Sequence, residues 1–272
     1  MLPELTAGVS TVSTWSLLAV VASGLGVWVP FVVGRSRGFS AAFLAQLAAV
    51  VILAGWLGAK AAHVLFEAEG HAIDDGAGVA AGVLDLLRDD PWHWARLLEP
   101  GFVFYGGVIV AVLCGLLFVR DLPRSQVLAL CDLAVPGVLV GIAVGRLGCF
   151  VGGCCYGAPT ELPWAVHFPL AHATHGAGVH PVQLYDIAVA VLGLGAWALA
   201  ARKRLPDGAV SLAFCGYYAV ARGLTEVLRA DADRGAVGPL STSQLISIIV
   251  LAVLVGWLAA SRMARWRGVR RP

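Results

Sequence analysis

The chain alternates long apolar segments with short breaks that carry charge, glycine or proline. Charged breaks include RSR at 35–37, RDLPR at 120–124 and ARKRLPDG at 201–208. A membrane-spanning helix needs about 20 mostly apolar residues, and seven segments fit that description. The pattern therefore predicts an all-α integral membrane protein with seven transmembrane helices. The predicted spans cover residues 12–33, 40–66, 102–119, 126–145, 181–201, 209–228 and 241–261.

Composition agrees with a membrane protein. Hydrophobic residues make up 59% of the 272 positions and charged residues only 13%, against about 25% charged residues in soluble domains. We expect a single transmembrane domain over residues 1–272 with long external loops at 67–101 and 146–180. The first of these loops suits either an ordered loop or a helix lying in the interface. No basic patch typical of nucleic-acid binding is apparent.

Lysine and arginine define an orientation. Under alternate crossing, 12 of the 19 basic residues, including the five tail arginines, fall on one side of the membrane. Basic residues in short loops mark the cytoplasmic side. The N-terminus is therefore predicted outside and the C-terminus in the cytoplasm.

Ionisable residues within the spans are costly, and they usually serve function or tight pairing. All except Asp132 fall near the outer end of their spans. The arginine-rich composition favours a site for an anionic phospholipid headgroup, because arginine suits bidentate phosphate contacts. A purely structural ion-pair network is the other interpretation. The residues concerned are Lys60, Asp132, Arg146, Asp186, Arg222, Glu226 and Arg229.

Several motifs appear in a fixed order along the chain. They are GAKAAHVLFE (58–67), FVFYGGVIV (102–110), GRLGCFVGGCCYG (145–157), HPVQLYD (180–186), YAVARGLTEVLR (218–229) and LSTSQLIS (240–247). With these motifs the chain resembles the prolipoprotein diacylglyceryl transferase family. The resemblance runs from about residue 58 to residue 247.

The resemblance implies a multi-pass enzyme of the bacterial inner (cytoplasmic) membrane with its active site towards the periplasm or outer face. Such enzymes transfer a diacylglyceryl group from phosphatidylglycerol to the lipobox cysteine thiol of a prolipoprotein and release glycerol phosphate. The expected partners are phosphatidylglycerol, the prolipoprotein signal peptide with its lipobox, and membrane lipids, without nucleic acid. No cofactor and no metal are expected.

The same resemblance assigns site residues. The family's two essential arginines fall on Arg146 and Arg222, and the predicted catalytic set adds Tyr105 and Glu226. Glu226 could hold an arginine in its rotamer, while the general base is open between Tyr105 and His180. The predicted substrate-binding residues are Gly106, Gly107, Gly148, Cys149, Gly153, Gly157, Tyr185, Tyr218, Arg229 and His180.

The motifs also depart from the family. Tyr105 stands where a histidine is typical, Cys149 where an asparagine is typical, and Cys154 and Cys155 lie in a stretch that usually carries polar residues. The alternative function is a divergent relative that binds anionic lipid and performs thiol or redox chemistry, or that uses another acceptor. A secondary transporter is disfavoured, because transporters bind substrate near the bilayer midplane.

The cysteines allow several interpretations. Cys114, Cys131 and Cys215 are isolated within spans and are expected to be core residues. The external cysteines could fill space, form a disulfide that involves Cys149, or carry an acyl or glyceryl group transiently. A metal site shared with His172, His175 or His180 is disfavoured, because the spacing matches no common zinc pattern.

Overall fold

The computed structural model describes residues 4–7, 10–66, 104–230, 236–237 and 240–269. Seven helices and three short antiparallel pairs of strands occur in this part of the chain. The helices are α1 (Thr14–Ser36), α2 (Ala41–Phe66), α3 (Phe104–Phe118), α4 (Arg124–Gly152), α5 (Val182–Ala201), α6 (Ala209–Val227) and α7 (Thr242–Val269). The strands are β1 (Glu4–Ala7), β2 (Ser10–Ser13), β3 (Val166–His167), β4 (Gly178–Val179), β5 (Ala236–Val237) and β6 (Leu240–Ser241).

The helices lie where the apolar segments predicted them, and the chain is an all-α membrane protein. Five of them, α1, α2, α4, α5 and α7, are long and apolar enough to cross a bilayer. Helix α3 has only 15 residues, and α6 carries Arg222 and Glu226. The count of seven spans stays a prediction. The expected loop at 67–101 lies outside the described residues.

Helix α4 extends further than predicted. Its span was expected to end at residue 145 and a loop to follow, but the helix continues to Gly152. Arg146, Gly148 and Cys149 are therefore helical. The glycines that suggested a loop therefore lie within the last turns of the helix.

The chain divides into two compact units, and the smaller comprises Gly34–Pro123. Within this unit α2 and α3 approach closely through glycines. A Cβ placed on Gly106 would collide with Ala62 and lie 2.7 Å from the carbonyl oxygen of Gly58, and one on Gly107 would lie 2.8 Å from that of Gly55. Gly106 and Gly107, which were predicted to bind substrate, thus form the contact between two helices.

The larger unit comprises Met1–Val33 and Arg124–Pro272. Its buried core joins α4, α5 and α6 around Val135, Leu139 and Ala190. These side chains are almost fully excluded from solvent, and larger half-buried residues pack around them. The surrounding residues are Ile142, Ala143, Leu194, Trp197, Val210 and Phe214.

Asp132 holds the start of α6 from the neighbouring helix α4. Its Oδ2 accepts a hydrogen bond from the Gly208 backbone N–H at 2.8 Å, and its Oδ1 accepts one from the Ser211 N–H at 2.7 Å. The first N–H groups of a helix lack intrahelical acceptors and carry partial positive charge. Gly208 supplies no side chain for this purpose, so the buried carboxylate of Asp132 caps the helix.

We predict that Asp132→Ala lowers the free energy of unfolding by about 1–2 kcal/mol, because the helix loses its cap. Asp121→Ala is the matched control, since the Asp121 side chain is 90% exposed. Thermal unfolding in detergent measures both. Equal midpoints for the two variants would show that Asp132 does not stabilise α6.

Candidate active site

An ion pair between α4 and α5 holds Arg146. Its Nε lies 2.9 Å from Oδ2 of Asp186, whose side chain is only 5% exposed. No described residue accepts a hydrogen bond from the terminal nitrogens of Arg146. Guanidinium groups carry five N–H donors in a planar fork. The buried carboxylate therefore fixes one side of Arg146 and leaves its fork for another acceptor.

A second cluster lies at the end of α6. Glu226 is 1% exposed and forms ion pairs with Arg222 and Arg229, the latter at 3.7 Å. Nη2 of Arg222 also donates to Oγ of Ser243 in α7 at 3.1 Å. Arg222 and Glu226 lie on one face of α6, as their i, i+4 spacing predicted, while Arg229 lies just beyond the end of the helix. Two guanidiniums against one carboxylate leave a positive charge on this cluster.

The end of α4 forms a Schellman motif. The Gly153 N–H donates to the Phe150 carbonyl at 3.3 Å, and the Cys154 N–H donates to the Cys149 carbonyl at 3.0 Å. Gly153 adopts a φ of 77°, the left-handed conformation that this motif requires. Gly153, which was predicted to bind substrate, therefore ends the helix and turns the chain back.

Backbone hydrogen bonds tie the following segment to two other elements. The Gly157 N–H donates to the His180 carbonyl at 2.9 Å, just before α5, and the Ala158 N–H donates to the Leu228 carbonyl at 2.7 Å, just after α6. Gly157 also forms a β-bridge with Arg229. These bonds bring the ends of α4 and α6 and the start of α5 together.

Three thiols lie at this junction. The Sγ atoms of Cys149, Cys154 and Cys155 are all within 4.8 Å of one another, and none is in a disulfide. The pKa of Cys155 is well below that of an ordinary thiol, because Cys149 and Cys154 donate hydrogen bonds to it and Arg229 and Arg146 lie nearby. Arg146 in α4 and Arg229 just after α6 thus act on the same group.

Trp164, Tyr185 and His180 form a chain of hydrogen bonds at the start of α5. Trp164 Nε1 donates to the Tyr185 hydroxyl at 2.8 Å, and that hydroxyl lies 3.2 Å from Nδ1 of His180. Because the Tyr185 oxygen accepts from Trp164, its proton is free to be donated to His180. The general base stays a prediction, open between His180 and Tyr105.

The sequence motifs contain one further polar residue that was not singled out. Gln183 is fully buried at the start of α5. Its Nε2 donates to the Cys154 carbonyl at 2.7 Å, while no described residue donates to its Oε1. Its position in the same motif as Tyr185 and Asp186 is the signal that could have found it.

The remaining predicted residues divide between the two units. Gly148 is buried on α4. Tyr218 stacks on Phe214 with ring centroids 5.7 Å apart, and it lies within electrostatic range of Arg146. Tyr105 belongs to α3 in the smaller unit, and its side chain lies outside the described residues. The arginines, Glu226, Tyr185 and the thiols therefore come together within the larger unit.

Comparison with known proteins agrees with the motifs. A family profile described as prolipoprotein diacylglyceryl transferase matches residues 4–260. A phosphatidylglycerol–prolipoprotein diacylglyceryl transferase of Clostridium tetani is 32% identical over 220 residues, which cover 80% of this chain and 81% of the relative. The protein of the same name from Gloeobacter violaceus is 36% identical over 182 residues, 64% of this chain and 66% of the relative.

We predict that Gly157→Ala disrupts the junction. An added Cβ would lie 2.6 Å from the His180 Cβ and 2.8 Å from the Leu228 carbonyl oxygen, so backbone on both sides would have to move. We expect a loss of about 1–3 kcal/mol in the free energy of unfolding. Gly152→Ala is the control, because a Cβ there meets nothing within 4 Å. Thermal unfolding should separate the two variants, and a Gly157→Ala midpoint equal to the control would contradict the tight contact.

Proposed function

The chain belongs to the prolipoprotein diacylglyceryl transferase family, and on that premise we propose that it transfers a diacylglyceryl group from phosphatidylglycerol to the lipobox cysteine thiol of a prolipoprotein. The observation that carries this proposal is the guanidinium of Arg146. The buried carboxylate of Asp186 holds its Nε, and no described residue accepts a hydrogen bond from its terminal nitrogens. Such a fork suits an anionic phosphate oxygen.

The proposed reaction forms a thioether and releases glycerol phosphate. The acceptor sulfur attacks the glycerol carbon, the carbon–oxygen bond to phosphate breaks, and its electron pair leaves with the phosphate group. The thiol proton is lost so that sulfur attacks as the thiolate. Charge therefore grows on the phosphate oxygens in the transition state. Arg146 and Arg222 would offset that charge, which is electrostatic stabilisation.

The carboxylates of the site would position the arginines. Asp186 and Glu226 are buried behind their guanidinium partners, so they fix rotamers rather than meet the lipid. Arginines that are already oriented lose little freedom when phosphate binds. We propose Asp186 and Glu226 as positioning residues, although Glu226 was first predicted to be catalytic.

Polar groups beside the arginines would recognise the lipid's uncharged parts. We propose that Tyr218 and Tyr185 bond lipid oxygens and that the buried Oε1 of Gln183 accepts a hydrogen bond from a lipid hydroxyl. Phosphatidylglycerol offers such hydroxyls in its glycerol headgroup. The acceptor of the thiol proton stays open between Tyr105 and His180.

The orientation of the site follows from α4. Arg124 begins this helix at its basic end, and Arg146 lies about 33 Å further along at a rise of about 1.5 Å per residue. The basic residues that favour the cytoplasm thus lie a membrane's thickness from Arg146. We propose that the site faces the periplasm or outer face of the bacterial inner membrane, with seven spans and the N-terminus outside.

We predict that Arg146→Lys transfers the diacylglyceryl group slowly, because a point charge cannot replace the planar fork. Arg146→Ala combined with Asp186→Asn, which avoids a buried unpaired carboxylate, should lose about 10²–10³-fold in rate. Purified protein, phosphatidylglycerol and a lipobox peptide provide the assay, and mass spectrometry detects the added diacylglyceryl mass.

Two controls accompany this assay. Arg120→Ala removes an arginine whose side chain is 70% exposed and paired with Asp121, so its rate should match wild type. Phosphatidylethanolamine should be a poor donor because its headgroup is zwitterionic. Equal turnover of both lipids, or full activity in the double variant, would contradict recognition of the headgroup by arginine.

We also predict the topology. A reporter fused after Arg204 should read as cytoplasmic, and a tag inserted after Ala158 should be accessible from outside intact spheroplasts. The reason is the accumulation of arginine and lysine near Arg204. An external reading after Arg204 would reverse the orientation and place the site in the cytoplasm.

A further inference from the structure

We propose that Cys149, Cys154 and Cys155 form a binding site for one thiophilic cation of the Zn²⁺ class. Their three Sγ atoms lie within 4.8 Å of one another. Zinc–sulfur bonds of about 2.3 Å place the sulfurs of a tetrahedral site about 3.8 Å apart. Closing the thiols onto a metal thus requires shifts of about 1 Å or less, which side-chain torsions supply.

The backbone explains how residues without zinc-type spacing meet. In a Schellman motif, a side chain in the last turn of the helix packs against the side chain of the residue that follows the left-handed residue. Here those positions are Cys149 and Cys154, on either side of Gly153. The hydrophobic contact usual in this motif is replaced by two thiols.

The conformation of Cys155 separates this cluster from simple packing. Its φ is 61°, a left-handed conformation that costs an L-residue about 1–2 kcal/mol and costs glycine almost nothing. Three neighbouring positions in this stretch are glycine, so glycine would suit position 155 as well. The chain instead keeps a thiol there and directs it to the other two. A space-filling role gives no reason for that strain.

The presence of three thiols beside two arginines favours a bound cation over a disulfide. A disulfide would use two thiols and leave the third in contact with it. Three thiolates around a divalent ion carry one surplus negative charge, and Arg146 and Arg229 lie close enough to balance it.

The nearby imidazoles are engaged elsewhere. Nε2 of His172 bonds the Gly153 carbonyl at 2.7 Å, and its Nδ1 accepts from the Thr174 N–H at 3.2 Å. Nδ1 of His180 faces the Tyr185 hydroxyl. The ligand set is therefore three sulfurs. Because Cys154 is exposed, the fourth tetrahedral position would be open to water or another outside ligand.

The test is metal binding by reduced, purified full-length protein, with Cd²⁺ as the spectroscopic probe and Zn²⁺ as the competitor. We expect one equivalent of Cd²⁺ with an ultraviolet thiolate-to-metal band, displaced by excess Zn²⁺. X-ray absorption should show three sulfur ligands. Since a ligand stabilises the state that binds it, Zn²⁺ should also raise the thermal midpoint.

Two variants make the test specific. Cys155→Gly relieves the strained conformation and should fold at least as well as wild type, yet it should lose the stoichiometric band and the Zn²⁺-dependent midpoint shift. The control replaces the three isolated cysteines, Cys114, Cys131 and Cys215, by alanine and should keep both.

Three results would overturn the proposal. They are the absence of stoichiometric binding, binding that survives in Cys155→Gly, and a disulfide within the trio as the main form of protein purified without reductant. None of these readouts uses transfer activity. A result that contradicts the metal site therefore leaves the proposed transferase function untouched, and the reverse also holds.

Discussion

Two carboxylates buried among apolar helices determine the arrangement of the whole site. An ionised carboxylate removed from water costs several kcal/mol unless a cation and hydrogen bonds compensate it. Asp186 and Glu226 are almost fully buried, so the helices must pack in a way that keeps each carboxylate paired with arginine. Three guanidiniums against two carboxylates leave a net charge of +1. That surplus matches the single negative charge of a phosphodiester, whereas an equal number of acids would have produced a neutral structural network.

The backbone around Gly157 converts these separate ion pairs into one site. Arg146 belongs to α4, its partner Asp186 to α5, and Arg229 follows α6. The loop that leaves α4 bonds to the segments beside α5 and α6, through hydrogen bonds that need the absence of a side chain at residue 157. At the opposite end of α4, Asp132 fixes α6 by capping it. The acid at one end of this helix therefore stabilises the fold, and the arginine at the other is the residue proposed to bind phosphate.

The sequence predicted the helices well, because long apolar segments and charged breaks reflect the membrane directly. The pairing of Arg222 with Glu226 was also predictable, since an i, i+4 spacing is a local property of a helix, although α6 ends before Arg229. Contacts between different helices were not predictable from the sequence. The pairing of Arg146 with Asp186 depends on how α4 and α5 pack, and the end of α4 was placed too early because glycine does not distinguish a helix contact from a loop. The contact of Gln183 with the Cys154 carbonyl was not predictable either, because it depends on how α5 packs against the turn after α4.

The sequence left the role of the three external cysteines open for a related reason, because their contact depends on two left-handed residues, Gly153 and Cys155, that no spacing rule encodes. Its position also links it to the arginines. Cys155 has Arg229 and Arg146 as its charged neighbours, so a thiolate there draws on the same positive charge that a phosphate would use. Two anions that share one set of guanidiniums weaken each other's binding, and this coupling is reciprocal. Arg222 pairs instead with Glu226 and Ser243. Its charge is therefore the part of the cluster that depends least on the state of the thiols.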